Sequence, residues 1–189
     1  MKKVLLLLTL CMAVLCASAA NHYVSQTTGN DSNDGLTWAT AMQTITSGFG
    51  ACANGDTLFI AAGTYNERVT ITASKYLSMM GGYSPDGTQH DPEAFLTIMD
   101  GTDLGKILIK SESEPAAPIR IDGLVLQNAD YASSSSAVYV RGNMTVSNCI
   151  IRNCHSSSSG GAIYVDDIPS DRPAVISNCL FELCTADGG

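Results

Sequence analysis

The sequence predicts an all-β fold, a solenoid of stacked coils with ~25–30 residues per coil and a short helix over its first end. Three observations lead there. The stretch IDGLVLQNADYASSSSAVYV from Ile121 aligns without a gap, 25 residues on, with VSNCIIRNCHSSSSGGAIYV from Val146, and a third copy opens at Ile176 after 30 residues. Within each copy apolar and polar residues alternate in runs too short for helices, the periodicity of strands. One such unit cannot bury its own apolar face, so units must stack, with strands ~4.8 Å apart.

The chain opens with a secretory signal peptide over residues 1–19. Lys2 and Lys3 precede the apolar run Val4 to Cys16, and Ala17-Ser18-Ala19 supplies small residues for cleavage after Ala19. Cys11 and Cys16 each follow a leucine, which does not suit a lipoprotein anchor. The expected product is secreted or held at the cell surface, with no transmembrane segment. Losing Lys2 and Lys3 leaves 8 basic residues against 18 acidic ones, a net charge of −10. That charge excludes nucleic acid and anionic lipid as partners, since both need basic patches.

Residues 20–55 read as an N-terminal strand, a loop and the capping helix. Tyr23-Val24-Ser25 is the strand. Thr37 is placed to cap a helix beginning at Trp38, and Trp38, Met42, Ile45 and Phe49 then form one apolar stripe. In the loop, Asn30, Ser32 and Asp34 fall in a calcium-loop register before Gly35. The twelfth position, however, is Ala41 rather than Glu, and the same residue types suit a tight turn. Calcium is the one cofactor this pattern admits, and nothing in it requires one. Coils occupy residues 56–189, with strands expected in TLFIA, RVTI, YLSMMGG, LTIMDG, KILIK and PIRIDGLVLQN.

The repeat also interprets the cysteines. Cys149 and Cys154 stand where the preceding unit has Leu124 and Ala129, and Cys179 and Cys184 repeat them. Two inward columns follow, Cys149 above Cys179 and Cys154 above Cys184. A shared zinc is disfavoured, because five extended residues separate the cysteines of a pair by up to ~16 Å. Packing as small buried hydrophobes is the first reading. Vertical disulfides Cys149–Cys179 and Cys154–Cys184 also fit a one-rung separation in an oxidising compartment.

Asn128 and Asn153 align and are expected to stack as an inward asparagine ladder at a coil corner, each amide bonding the next backbone, and the ladder ends at Leu183. Two loops are candidate binding surfaces: 84–95, with Asp86, Asp91 and Glu93, and 166–173, with Asp166, Asp167 and Asp171. Asp122 aligns with Ser147 and Ser177, Asp130 with His155 and Thr185, and Arg141 with Asp166, so no column carries paired carboxylates. The serine runs 133–136 and 156–159 read as polar turns. No catalytic constellation emerges.

The segment CIIRNC followed by GGAIYV, with Gly160 and Gly161, resembles the GGA-[ILV] and F-x-x-N repeats of polymorphic outer-membrane proteins. Ile150 replaces the Phe, and Leu183 replaces the Asn in the next copy. The opening HYVSQTTGNDSNDGLTWATAMQTI, with NGDTLFIAAGTYNERVTI and the later GGYSPDGT and TIMDG, is similar to secreted bacterial pectate-lyase-like proteins. The resemblance implies a right-handed parallel β-helix and spans enzymes as well as adhesins. The first expectation is therefore a non-catalytic exported scaffold that binds a glycan or a surface protein. The alternative is the front of a polysaccharide lyase or glycoside hydrolase whose site lies on coils beyond residue 189. The last unit reaches ADGG where the earlier one continues into AIYV, so the C-terminal end is expected to be incomplete, with further coils or an anchoring domain following.

Overall fold

The computed structural model describes residues 19–71, 75–110, 119–132, 137–140, 143–166 and 173–188. The expected signal peptide up to residue 18, the serine run 133–136, Arg141, Asp167 and Asp171 lie outside them. In chain order the strands begin with β1 (Asn21–Val24), β2 (Thr57–Ala61), β3 (Gly63–Tyr65), β4 (Val69–Ile71), β5 (Ser78–Tyr83) and β6 (Thr97–Asp100). They continue with β7 (Leu108–Lys110), β8 (Ile119–Asp122), β9 (Leu124–Gln127), β10 (Asp130–Tyr131), β11 (Val138–Val140) and β12 (Met144–Ser147). The last are β13 (Ile150–Arg152), β14 (His155–Ser156), β15 (Ile163–Val165), β16 (Ala174–Ser177), β17 (Leu180–Glu182) and β18 (Thr185–Ala186).

These strands form four sheets in which every pairing between strands is parallel. The orders are β1-β2-β5-β8-β12-β16, β17-β13-β9-β6-β3, β15-β11-β7-β4 and β10-β14-β18. The first two copies of the repeat thus each deliver one strand to each sheet in turn, and the third delivers β16, β17 and β18 to three of them. The registers match the alignment: Ile121 pairs with Val146 and Val146 with Ile176, Leu126 pairs with Ile151, and Asp130 pairs with His155 and His155 with Thr185. The fourth sheet, β10-β14-β18, is built from pairs of residues, too short to show a period.

Alternation places one file of side chains in the core. Leu58, Met79, Ile121 and Val146 follow one another in register, each at most 1% exposed. At the far end of the file Ile176 is 43% exposed. Val175, Leu180, Phe181 and Leu183 are exposed beside it.

The single capping helix resolves into two pieces. Thr37 does act as an N-cap, with a reciprocal bond to Thr40, but the turn it starts is a 3-10 turn over Trp38–Thr40. Met42 then makes a β-bridge to Val24, and Thr44 caps an α-helix, α1 (Ile45–Ala51). Two caps seven residues apart end one element and begin another, which a single apolar stripe cannot reveal. Asp31 accepts the N–H groups of Gln43 and Thr44, and Glu67 accepts those of Ile45 and Thr46. Helix α1 lies against β1, β2 and β4. Gly48 allows that approach, since a Cβ there would stand 2.4 Å from the Val24 side chain. Met42 and Ile45 are buried, whereas Trp38 and Phe49 are half-buried.

The asparagine ladder is corrected as well. Asn128 and Asn153 occupy left-handed corners, with φ of 58° and 52°, and Leu183 follows at 51°. Asn128 is half-buried and Asn153 exposed. The Asn128 amide donates to Asp100 Oδ2 at 3.0 Å, a side chain on the neighbouring rung rather than a backbone group. Asparagine serves here because it tolerates φ > 0. A second corner column, Gly123, Asn148 and Asn178, has φ of 65°, 52° and 52°. The glycines of GGA have separate roles: Gly160 has φ 70°, while a Cβ on Gly161 would lie 2.1 Å from the Thr185 carbonyl oxygen of the next rung.

Candidate binding groove

The groove is founded on an irregularity in β5. Pairing moves from Phe59 with Met80 to Ala61 with Tyr83, so Gly81 and Gly82 oppose Ile60 alone. This bulge ends β5 at Tyr83, from which the loop 84–95 departs. Tyr83 meets Phe59 edge-on at 5.2 Å, Trp38 at 5.5 Å and His90 at 4.4 Å between ring centres. Tyr23 completes the cluster, 4.9 Å from Trp38 and 5.4 Å from Phe59. Gly87, at φ 71°, lies on the indole, where a Cβ would fall 2.2 Å from the ring.

Two of the three acidic residues in this loop hold its shape. Asp86 Oδ1 accepts the hydroxyls of Ser84 and Thr88 at 2.7 and 2.9 Å, which holds its carboxyl below the usual value. Asp91 Oδ1 accepts the N–H groups of Glu93 and Ala94. Asp91, Pro92 and Glu93 form one bank of a groove of about 470 Å³. Asn148, Asn178 and Leu180 form the other, and Leu124 and Val125 contribute to its lining. The second bank is a ladder across three rungs: Ser147 Oγ and Asn148 Nδ2 donate to Asp122 Oδ2, and Asn178 Nδ2 donates to Asn148 Oδ1 at 2.6 Å. The alignment had already placed Ser147 on Asp122; the Asn148 and Asn178 corners were missed. Their signal is the recurring Ser-Asn-Cys.

The calcium loop takes a different form. Asn30 Oδ1 accepts the N–H of Ser32, and Asp34 Oδ1 that of Leu36, so both side chains close turns. Among the described residues one group of three donors could hold a metal, His22, Cys52 and Asp56, all buried and with donor atoms within 4.8 Å of one another. The set suits zinc in kind. Both Asp56 oxygens accept backbone N–H groups, and with no metal bound, burial and the Asp56 charge push the Cys52 thiol up to about 12. We read the group as a polar clasp.

All five described cysteines are free thiols. Cys149 and Cys154 are buried, as the Leu124 and Ala129 positions required, and Cys179 and Cys184 are half-buried. Cys149 Sγ donates to the Ser147 carbonyl at 3.1 Å and Cys179 Sγ to the Ser177 carbonyl at 3.3 Å; the adjacent Cys179 thiol and burial raise the pKa of Cys149, and the adjacent Cys149 lowers that of Cys179. His155 lies between Asp130 at 2.9 Å and Asp187 at 3.3 Å, and these bonds raise its pKa. Asp166 accepts the Tyr139 hydroxyl at 2.7 Å, beside stacked Tyr139 and Tyr164.

Acid should weaken this framework. Burial alone would raise Asp31, Asp56 and Asp100, yet hydrogen bonds from Thr44, from Ala20 and Ala53, and from Thr102 and Gln127 outweigh it and hold all three below 3.8. A depressed folded pKa contributes stability that is complete above the unfolded value and lost as pH falls through the folded one. The urea midpoint, followed by circular dichroism, is expected to be flat from neutrality to about pH 5 and to fall below about pH 4.

No protein family, curated protein or solved structure matches the chain.

Proposed function

We propose that the chain is an exported right-handed parallel β-helix that acts without catalysis, as a scaffold binding a neutral or amino-bearing glycan in the groove beside loop 84–95. The four parallel sheets, fed in turn by the repeats, support the β-helix reading. The groove carries the functional one. Its volume lies within the range typical of small-ligand sites, and it joins apolar surface from Leu124, Val125 and Leu180 to a few polar groups. Carboxylates and amides alternate with that surface, which is what a sugar ring with its hydroxyls requires. The acidic bank at Asp91 and Glu93 and the expected net charge of −10 oppose a polyuronate.

The test is calorimetry against neutral, amino-bearing and uronic oligosaccharides, with and without calcium. Binding of the first two classes is expected, weakened about tenfold, ~1.4 kcal/mol, by Glu93→Ala. The melting temperature should not change, since Glu93 is exposed. Binding that ignores Glu93→Ala removes the groove from the proposal. Calcium-dependent binding of polyuronates with release of unsaturated products would replace it with the lyase alternative.

A further inference from the structure

Asp56 is 4% exposed, just ahead of β2, and the described partners of its carboxylate come from the polypeptide preceding it. Its Oδ1 accepts the N–H of Ala20 at 2.7 Å. Its Oδ2 accepts the N–H of Ala53 at 2.6 Å and lies 3.2 Å from His22 Nε2. The Ala20 carbonyl in turn accepts the N–H of Thr57 at 2.9 Å, so Ala20 is anchored at both of its polar backbone atoms. While Ala19 is attached, the Ala20 nitrogen is an amide with one hydrogen and no charge. Hydrolysis of the Ala19–Ala20 bond adds water across it. Ala19 becomes a carboxylate, and the Ala20 amine takes up a proton at neutral pH. A full positive charge then stands within hydrogen-bond distance of a buried carboxylate.

We propose that cleavage between Ala19 and Ala20 creates a partly buried ion pair, from the Ala20 α-ammonium to Asp56, that locks the first strand onto the stack. The mature chain is then more stable than any form carrying residues ahead of Ala20. This rests on the export reading above. A buried carboxylate is costly with neutral donors alone, and an adjacent cation offsets that cost. Cleavage one residue later would also satisfy the small-residue rule, with Ser18 and Ala20 flanking. It would remove the nitrogen that Asp56 holds.

The pair has a pH signature. The titratable groups around it are His22, Cys52 and, beyond Cys52, Lys75, whose ammonium bonds the Phe49 carbonyl. Pairing raises the α-amino pKa above its free value of about 8. Its stabilisation is therefore complete below that value and lost as pH rises through the folded pKa. The Asp56 side of the pair is lost only in acid.

The test compares a chain beginning at Ala20, released from an N-terminal fusion, with the same chain preceded by one glycine, each with and without Asp56→Asn. Melting is followed from about pH 6 to about pH 10, and the rate of α-amine acylation is read by mass spectrometry. The Ala20 chain is expected to melt several degrees higher near neutrality, with the difference closing in alkali. Its amine should react about tenfold more slowly, the consequence of one pKa unit. Asp56→Asn should abolish both differences. Should that variant fail to fold, the glycine extension, which leaves Asp56 intact, still decides. Equal melting and equal acylation overturn the ion pair. N-terminal sequencing of the exported protein separates the two readings. Ala20 first supports the proposal, and Asn21 first overturns it while export stands. An uncleaved chain removes export, and the prepared chains still judge the ion pair.

Discussion

Replacing Ile121 by alanine is expected to cost about 3 kcal/mol, near the middle of the range for removing three methyl or methylene groups from a closed core. Ile121 is fully buried, with Met79 on one rung and Val146 on the next. A chain of this length should lose about 6–12 °C of melting temperature. The control lies in the same file. Ile176, 43% exposed, occupies the same position on the last described rung, and Ile176→Ala should cost about 1 kcal/mol or less because water already reaches the site. Urea midpoints of the two variants measure the difference. Equal costs would mean that rung stacking does not set the burial of this file.

Thr97→Val is expected to cost about 2–3 kcal/mol although it preserves shape and adds apolar surface. Thr97 is fully buried. Its hydroxyl accepts the Gly82 N–H at 3.0 Å and donates to the Ile60 carbonyl at 3.1 Å. These are the two sides of the β5 bulge, where the ladder is interrupted. Valine would leave a buried donor and a buried acceptor there without Thr97's hydroxyl. Thr97→Ser should retain most of the stability, because it keeps the hydroxyl. Chemical denaturation of the three proteins decides it, and a Val variant as stable as the Ser variant would show that water or a backbone shift satisfies the bulge. Since the bulge positions Tyr83 and loop 84–95, glycan binding should weaken alongside stability in the Val variant.

Short-range patterns set out much of this architecture. The 25- and 30-residue offsets place β8 to β18 in register, because alternation and repetition are local properties that every rung must share. The same logic buried Cys149 and Cys154, and it put Asp130 on His155 and then Thr185. The sequence also identified Thr37 as a cap, since capping is decided within four residues. It could not divide the helix at Met42, because the bridge from Met42 to Val24 and the support from Asp31 and Glu67 come from distant segments. It placed Asn128 and Asn153 at a corner but turned them inward, because residue type alone does not set which way a corner side chain points; the packing around it does. The groove was only half legible. Loop 84–95 stood out by composition, but its opposite bank depends on three rungs aligning Asp122, Asn148 and Asn178. The Asp56 clasp was not legible at all, because it joins Ala20 and His22 to a residue more than thirty positions away. What repeats locally can be read from the chain, and what converges from separate segments is decided only when they pack.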